Sequence, residues 1–285
     1  MSDSPLRDLT TPDDYVLGCH SEELKRLGRQ HSIWREDCQA GWIRAGFSEG
    51  QHLLDLGCGP GFASLDLAAL VGDHGRVLGI DASDTFINHP SDQACQRGLR
   101  QLEGLRLDLA QNDPHGWSHV IPAGQWDGVW CRWLAMFLPT LDPLPDLIVQ
   151  ALRPGGRLIL HEYLRWDTFS LHPEGAALAC FVERCITHWR RHGGDPDVAS
   201  RLPALLEQRG LQLVNCRSLI ACSSSNNAKA IWLRDFLASY PFQLMKSGNW
   251  SLEEQKDLEA EVSRACQQPS LWMTPGLVEM IWEKP

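Results

Sequence analysis

The segment His52-Leu53-Leu54-Asp55-Leu56-Gly57-Cys58-Gly59-Pro60-Gly61 constrains the fold more than any other stretch. A short apolar run enters a turn with glycine at alternate positions, and an apolar helical pattern, 62–71, follows. Glycine is required where a turn is tight and a ligand must approach the backbone closely. Such a turn presents backbone N–H groups at a helix N-terminus, which suits an anion. Dinucleotide folds space their glycines G-x-G-x-x-G/A. Counted from Gly57, the third small position falls on Phe62, so that fingerprint fails. No Gly-Lys-Ser/Thr follows, so the P-loop pattern fails as well. The G-x-G-x-G spacing of Gly57, Gly59 and Gly61 remains.

The surroundings repeat one alternation. Strands are predicted at 51–57, 76–81, 104–109, 126–131 and 157–163, each short, apolar and bounded by Gly, Pro or Asp. Helical patterns lie between them at 62–71, 84–98 (interrupted by Pro90) and 142–153. Strands alternating with helices specify right-handed βαβ units and a parallel sheet. Ahead of them, Ser21 caps a predicted amphipathic helix over 21–46, with Glu22 and Glu23 in its first turn. The alternation pauses after Tyr163, resumes with a helix at 198–209 and a strand at 211–220, pauses again over two helical stretches (227–245 and 251–267), and closes with a strand at 277–283. The expected organisation is an N-terminal cap (1–50), a core (51–163), a first lid insertion (164–197), core again (198–226), a second lid insertion (227–268) and a last core strand (269–285).

The second chemical signal is Asp81, at the end of the strand after the glycine turn. A carboxylate there, about 20 residues past the glycines, is placed to accept both hydroxyls of a ribose; the plainer reading is a helix cap. Taken with the glycine turn, Asp55 to Gly61, Val77 to Asp81, Asp108-Leu109, Trp126 to Cys131 and Leu152-Arg153-Pro154-Gly155-Gly156-Arg157-Leu158 resemble, in order, the motifs of the class I S-adenosylmethionine-dependent methyltransferases. The likeness is to the broad group that includes the ubiquinone/menaquinone-type methyltransferases. It spans 55–163, and Tyr15-Val16-Leu17-Gly18 with the first helix resembles the leading segment that covers the cofactor.

The resemblance implies an α/β fold: a Rossmann-like, seven-stranded, mostly parallel sheet with helices on both faces, an antiparallel last strand and helical lid insertions. It implies S-adenosylmethionine as cofactor, held by Tyr15, Gly57, Cys58, Gly59, Asp81, Ala82, Asp108, Leu109 and Cys131. Ligands of open α/β sheets bind beyond the carboxyl ends of the strands, so Arg132 and Trp133 are expected to contact the acceptor. Methyl transfer from a sulfonium needs a base only if the acceptor is protonated. Glu162 is the leading candidate, with His161, His188 and His192 behind it. Neighbours in a strand face opposite ways, so at most one of His161 and Glu162 faces the site. The competing reading of Glu162 is an edge carboxylate paired with Arg165.

Twelve tryptophans are many for 285 residues. Trp166, Trp189, Trp232, Trp250 and Trp272 fall in or near the insertions, either as an aromatic cage for a cationic or flat acceptor or, the preferred reading, as lid packing. Net charge is −10, which opposes a nucleic-acid substrate. The Asn/Asp-Pro-Pro-Tyr/Phe motif of DNA amino-methyltransferases is replaced by Cys131-Arg132-Trp133-Leu134. Ten cysteines form no CxxC pair, so no metal site is expected. No apolar run of 18 residues and no secretory leader is evident, which points to a cytoplasmic protein with free thiols and no membrane span. The expected partner is a small-molecule acceptor, with a homodimer left open. A protein side chain as acceptor and a non-catalytic binding protein are the alternatives, and a nicotinamide oxidoreductase is opposed by Phe62.

Overall fold

The computed structural model describes residues 21–111, 117, 119–173 and 175–285. Five strands, β1 (His52–Leu56), β2 (Arg76–Asp81), β3 (Leu102–Arg106), β4 (Trp126–Arg132) and β5 (Leu152–Arg165), form the parallel part of the sheet. Two more, β7 (Gln212–Ser218) and β10 (Gly276–Glu283), complete it in the order β3-β2-β1-β4-β5-β10-β7. β10 runs antiparallel to both neighbours. The expected α/β class is therefore found. β1, β2 and β4 are nearly continuous runs of buried residues, because helices cover both faces and leave no solvent side to favour alternation. Strand order reverses between β1 and β4, which places a ligand crevice beyond their carboxyl ends.

The helices are α1 (Ser21–Arg44), α2 (Phe62–Val71), α3 (Asp84–Arg97), α4 (Pro143–Ala151), α5 (Ala176–Arg191), α6 (Leu202–Gln208), α7 (Ala228–Lys246) and α8 (Leu252–Gln267). α3 forms despite Pro90, and Pro90 abuts the glycine turn: a Cβ on Gly61 would come within 2.3 Å of its ring. The third glycine thus lets two helices meet at the turn. α8 starts with a capping box, in which Ser251 and Glu254 satisfy each other's backbone N–H groups.

Several element bounds differ from expectation. β3 ends at Arg106 rather than residue 109, because its ladder follows β2, whose last residue, Asp81, is paired with Arg106. The first insertion, the resumed core segment 198–226 and residues 269–285 also share a small antiparallel sheet, β6 (Ser170–His172), β9 (Leu271–Met273) and β8 (Cys222–Ser224). Three-residue strands are too short to show a period in sequence. No described helix is long and apolar enough to cross a membrane.

α1 and α7 close over the carboxyl end of the sheet. They are tied together by Arg29–Asp235 (2.8 Å), Lys229–Asp37 (2.6 Å) and Trp232 Nε1 donating to Gln30 Oε1 (2.9 Å). The Arg29–Asp235 pair, with Arg29 exposed, contributes little; the buried Trp34–Trp232 edge contact, 5.2 Å between rings, carries more of the closure. Beneath α1, the buried carboxylate of Glu279 on β10 accepts from Arg44, Arg217 and His161, joining helix and sheet.

Candidate functional site

The glycine turn sits at the mouth of the crevice. Gly57, Gly59 and Gly61 all have positive φ, where a side chain is strained. A Cβ on Gly59 would meet nothing within 4 Å, so its empty side faces open space. Asp81 anchors the turn: one oxygen accepts from Gly59 N and the other from Ser83 N, both at 2.9 Å. Burial raises the pKa of Asp81, and those backbone donors oppose the rise. Asp55, buried below, accepts from Ser64 Oγ at 2.6 Å, and burial pushes its pKa up to about 6. Asp108 stands beyond β3, its carboxylate accepting from Ala110 N at 2.9 Å.

One cavity runs from this turn into the space under the insertions. Gly57, Cys58, Gly59, Asp81, Ala82, Asp108, Leu109, Arg132 and Trp133 line it. Sequence reasoning selected all nine. Tyr15 lies outside the described residues. Two selected residues are not on the wall. Cys131 is fully buried, its sulfur 4.0 Å from Glu162, because its side chain points from β4 away from the crevice. Glu162 points the same way. Its Oε1 accepts from Leu134 N and Ala135 N, both at 2.9 Å, and it makes no pair with Arg165, which binds Asp167 instead. Burial raises Glu162 to a pKa of about 8. Glu162 is thus a carboxyl that props the turn after β4, where Trp133 has φ 55, and not a base facing the cavity.

The other candidate bases are also off the wall. His161 is fully buried and donates from Nε2 to Glu279 at 2.8 Å. His188 and His192 lie against each other at the end of α5, their rings tilted by 43° with centroids 4.3 Å apart. The far half of the cavity is aromatic instead: Phe137, Tyr163, Trp166, Phe169, Trp189, Trp232 and Phe236. Trp133 lies nearly parallel to Trp232 (5.8 Å, 11°) and to Tyr163 (5.9 Å, 14°). Of the five tryptophans in or near the insertions, Trp166, Trp189 and Trp232 line the cavity and pack on aromatic neighbours, whereas Trp250 and Trp272 do not line it. α1 adds Arg26, Leu27 and Gln30. The sequence marked α1 as a cap, but helical periodicity could not say which of its residues reach the crevice. Phe62, the residue that broke the dinucleotide spacing, also lines the cavity and stacks on His31.

Residues 53–156 match the family described as a methyltransferase domain. The chain is 30% identical to a demethylmenaquinone methyltransferase of Symbiobacterium thermophilum over 116 residues, 41% of this chain and 44% of that protein. Residues 53–156 are thus a methyltransferase domain of the class I, S-adenosylmethionine-dependent kind. A 23S ribosomal RNA uracil C5-methyltransferase of Acinetobacter baylyi is 39% identical to the chain over 72 residues, 25% of this chain and 16% of that one. The chain thus covers well under two thirds of either relative. In fold, the chain is similar to a geranyl diphosphate C-methyltransferase from Streptomyces coelicolor, with TM-score 0.56 and 13% identity over 93% of this chain and 85% of that one.

Proposed function

We propose that this methyltransferase binds S-adenosylmethionine and transfers its methyl group to a small, apolar metabolite enclosed beneath the two insertions. The observation that carries the reading is the continuity of one cavity, from the turn at Gly59 and Asp81 to an aromatic chamber built by Phe137, Tyr163 and residues of the two insertions. The residues present fit the cofactor. Gly59 leaves a cradle that any Cβ would fill, and Asp81 keeps two of a carboxylate's roughly four acceptor positions for ribose hydroxyls. Asp108 and Leu109 line the same cavity beyond β3, which supports an adenine contact there.

When bound, the cofactor supplies a methyl group already activated on a sulfonium, open to in-line displacement. The chain's own work is orientation and exclusion of water. Trp133, Tyr163, Trp166 and Trp232, all in aromatic contact with neighbours, give the acceptor rigid flat walls. None of the four candidate bases stands on the wall, so the favoured acceptor presents a nucleophile that needs no proton removed by them. A cavity walled by aromatic side chains of both insertions also fits a metabolite better than a protein segment.

The test is calorimetric titration with S-adenosylhomocysteine, followed by labelled-methyl transfer to a panel of apolar aromatic and polyene metabolites. Micromolar binding and transfer to a panel member support the reading. Absence of binding, or labelling of proteins in place of metabolites, overturns it.

A further inference from the structure

The cavity wall carries a cation that no described carboxylate pairs. Arg132, the last residue of β4, lies with its guanidinium 5.0 Å from the centre of the Trp133 ring. Its Nη1 donates to Cys38 Sγ at 3.1 Å and its Nη2 to His31 Nδ1 at 3.4 Å. Neither partner offsets the charge. Burial raises the Cys38 thiol, and burial lowers His31, whose Nε2 already donates to Asp66 at 3.1 Å. A guanidinium has five N–H donors, and these contacts use two. Asp55 feels the charge of Arg132 but forms no ion pair with it. A half-buried cation left in that state favours an anionic ligand.

Its position says which anion. In the sheet, β1 with its glycine turn lies between β2, which ends at Asp81, and β4, which ends at Arg132. Two strand spacings, roughly 9–10 Å, separate the carboxylate from the cation across the turn. The partner of Arg132, His31, stacks on Phe62 (6.2 Å), the first residue after the turn. A ligand with a ribose at Asp81 therefore extends over the glycines toward Arg132. The cofactor of this family has that form, with a ribose near one end and an amino-acid carboxylate at the other. We propose that Arg132 receives the carboxylate of the cofactor's amino-acid end, and so serves the cofactor rather than the acceptor as its place in sequence suggests. The assignment rests on the cofactor reading above.

Two ligands separate the possibilities. S-Adenosylhomocysteine carries the carboxylate, and 5′-methylthioadenosine shares the adenosyl part without it. Both are titrated calorimetrically into wild type, Arg132→Met and Arg132→Lys. The methionine keeps the apolar stem against Trp133, and its affinity for methylthioadenosine reports whether the site is still folded. The expected result is a ten- to hundredfold loss of S-adenosylhomocysteine affinity in Arg132→Met, about the worth of a charge-assisted pair. Methylthioadenosine binding should stay within about twofold, and Arg132→Lys should recover part of the loss. Equal losses for both ligands, or no loss for either, overturn the assignment. If wild type binds methylthioadenosine as tightly as S-adenosylhomocysteine, only the role of Arg132 falls; if it binds neither, the cofactor reading falls with it.

Discussion

Replacing Asp81 with alanine tests the cofactor site at the carboxylate on which both turn and ligand depend. Its oxygens accept from Gly59 N and Ser83 N at 2.9 Å, leaving two acceptor positions for ribose hydroxyls. Hydrogen bonds to a charged group contribute about 1.5–3 kcal/mol each when partly buried, and two on one ligand do not add fully. Alanine removes them and also frees Gly59 N, so the turn loses its anchor. The expected loss is about 2–4 kcal/mol, a roughly 30- to 1000-fold rise in the dissociation constant for S-adenosylhomocysteine. Asp81→Asn retains one oxygen as acceptor and should fall between. Stability should drop by only about 1–2 kcal/mol, because burial already disfavours the charged form of Asp81. Isothermal titration with a thermal melt on each variant measures both quantities. An Asp81→Ala protein that binds within threefold of wild type would refute the ribose assignment.

Gly59→Val should fold with a modest strain cost, since its Cβ meets no protein atom, yet lose the thermal shift given by S-adenosylhomocysteine; a retained shift would mean the open side of Gly59 is not the cofactor's. Glu162 rises from 4.5 to about 8 on folding, so between those values the native state holds a proton that the unfolded chain has released, and stability falls as pH rises across that window. Glu162→Gln should match wild type near pH 5 and exceed it above pH 8, by up to about 5 kcal/mol from roughly 3.5 units at 1.36 kcal/mol each; parallel denaturation curves at pH 5 and 9 would contradict this. Burial alone would raise Glu279, but hydrogen bonds and charge from His161 and Arg217 hold it down to about 2. Its stabilisation is present above pH 4.5 and lost as pH falls toward 2. Glu279→Gln, which strands Arg44, Arg217 and His161 beneath α1, should cost about 2–3 kcal/mol at pH 7 by urea denaturation, and an unchanged midpoint would show that the network adds nothing.

The sequence by itself determined the core of this protein. A glycine turn between an apolar strand and a helix, a carboxylate one strand later and three further motifs in order are local patterns, and local patterns follow from backbone geometry that any fold must respect. They located Gly57, Gly59, Asp81, Asp108 and Arg132 on the cavity. Which side of a strand tip faces a ligand is different. It depends on register and on what packs behind the sheet, and only the tertiary structure decided it. That is why Glu162 and Cys131 stand behind the crevice while Tyr163, one residue on, lines it. The aromatic chamber is likewise assembled from residues up to a hundred positions apart, on segments that share no period. The role of Arg132 shows the same division: its charge was legible in the chain, but only strand order placed it across the glycine turn from Asp81, because sheet neighbours are chosen by packing and not by sequence adjacency.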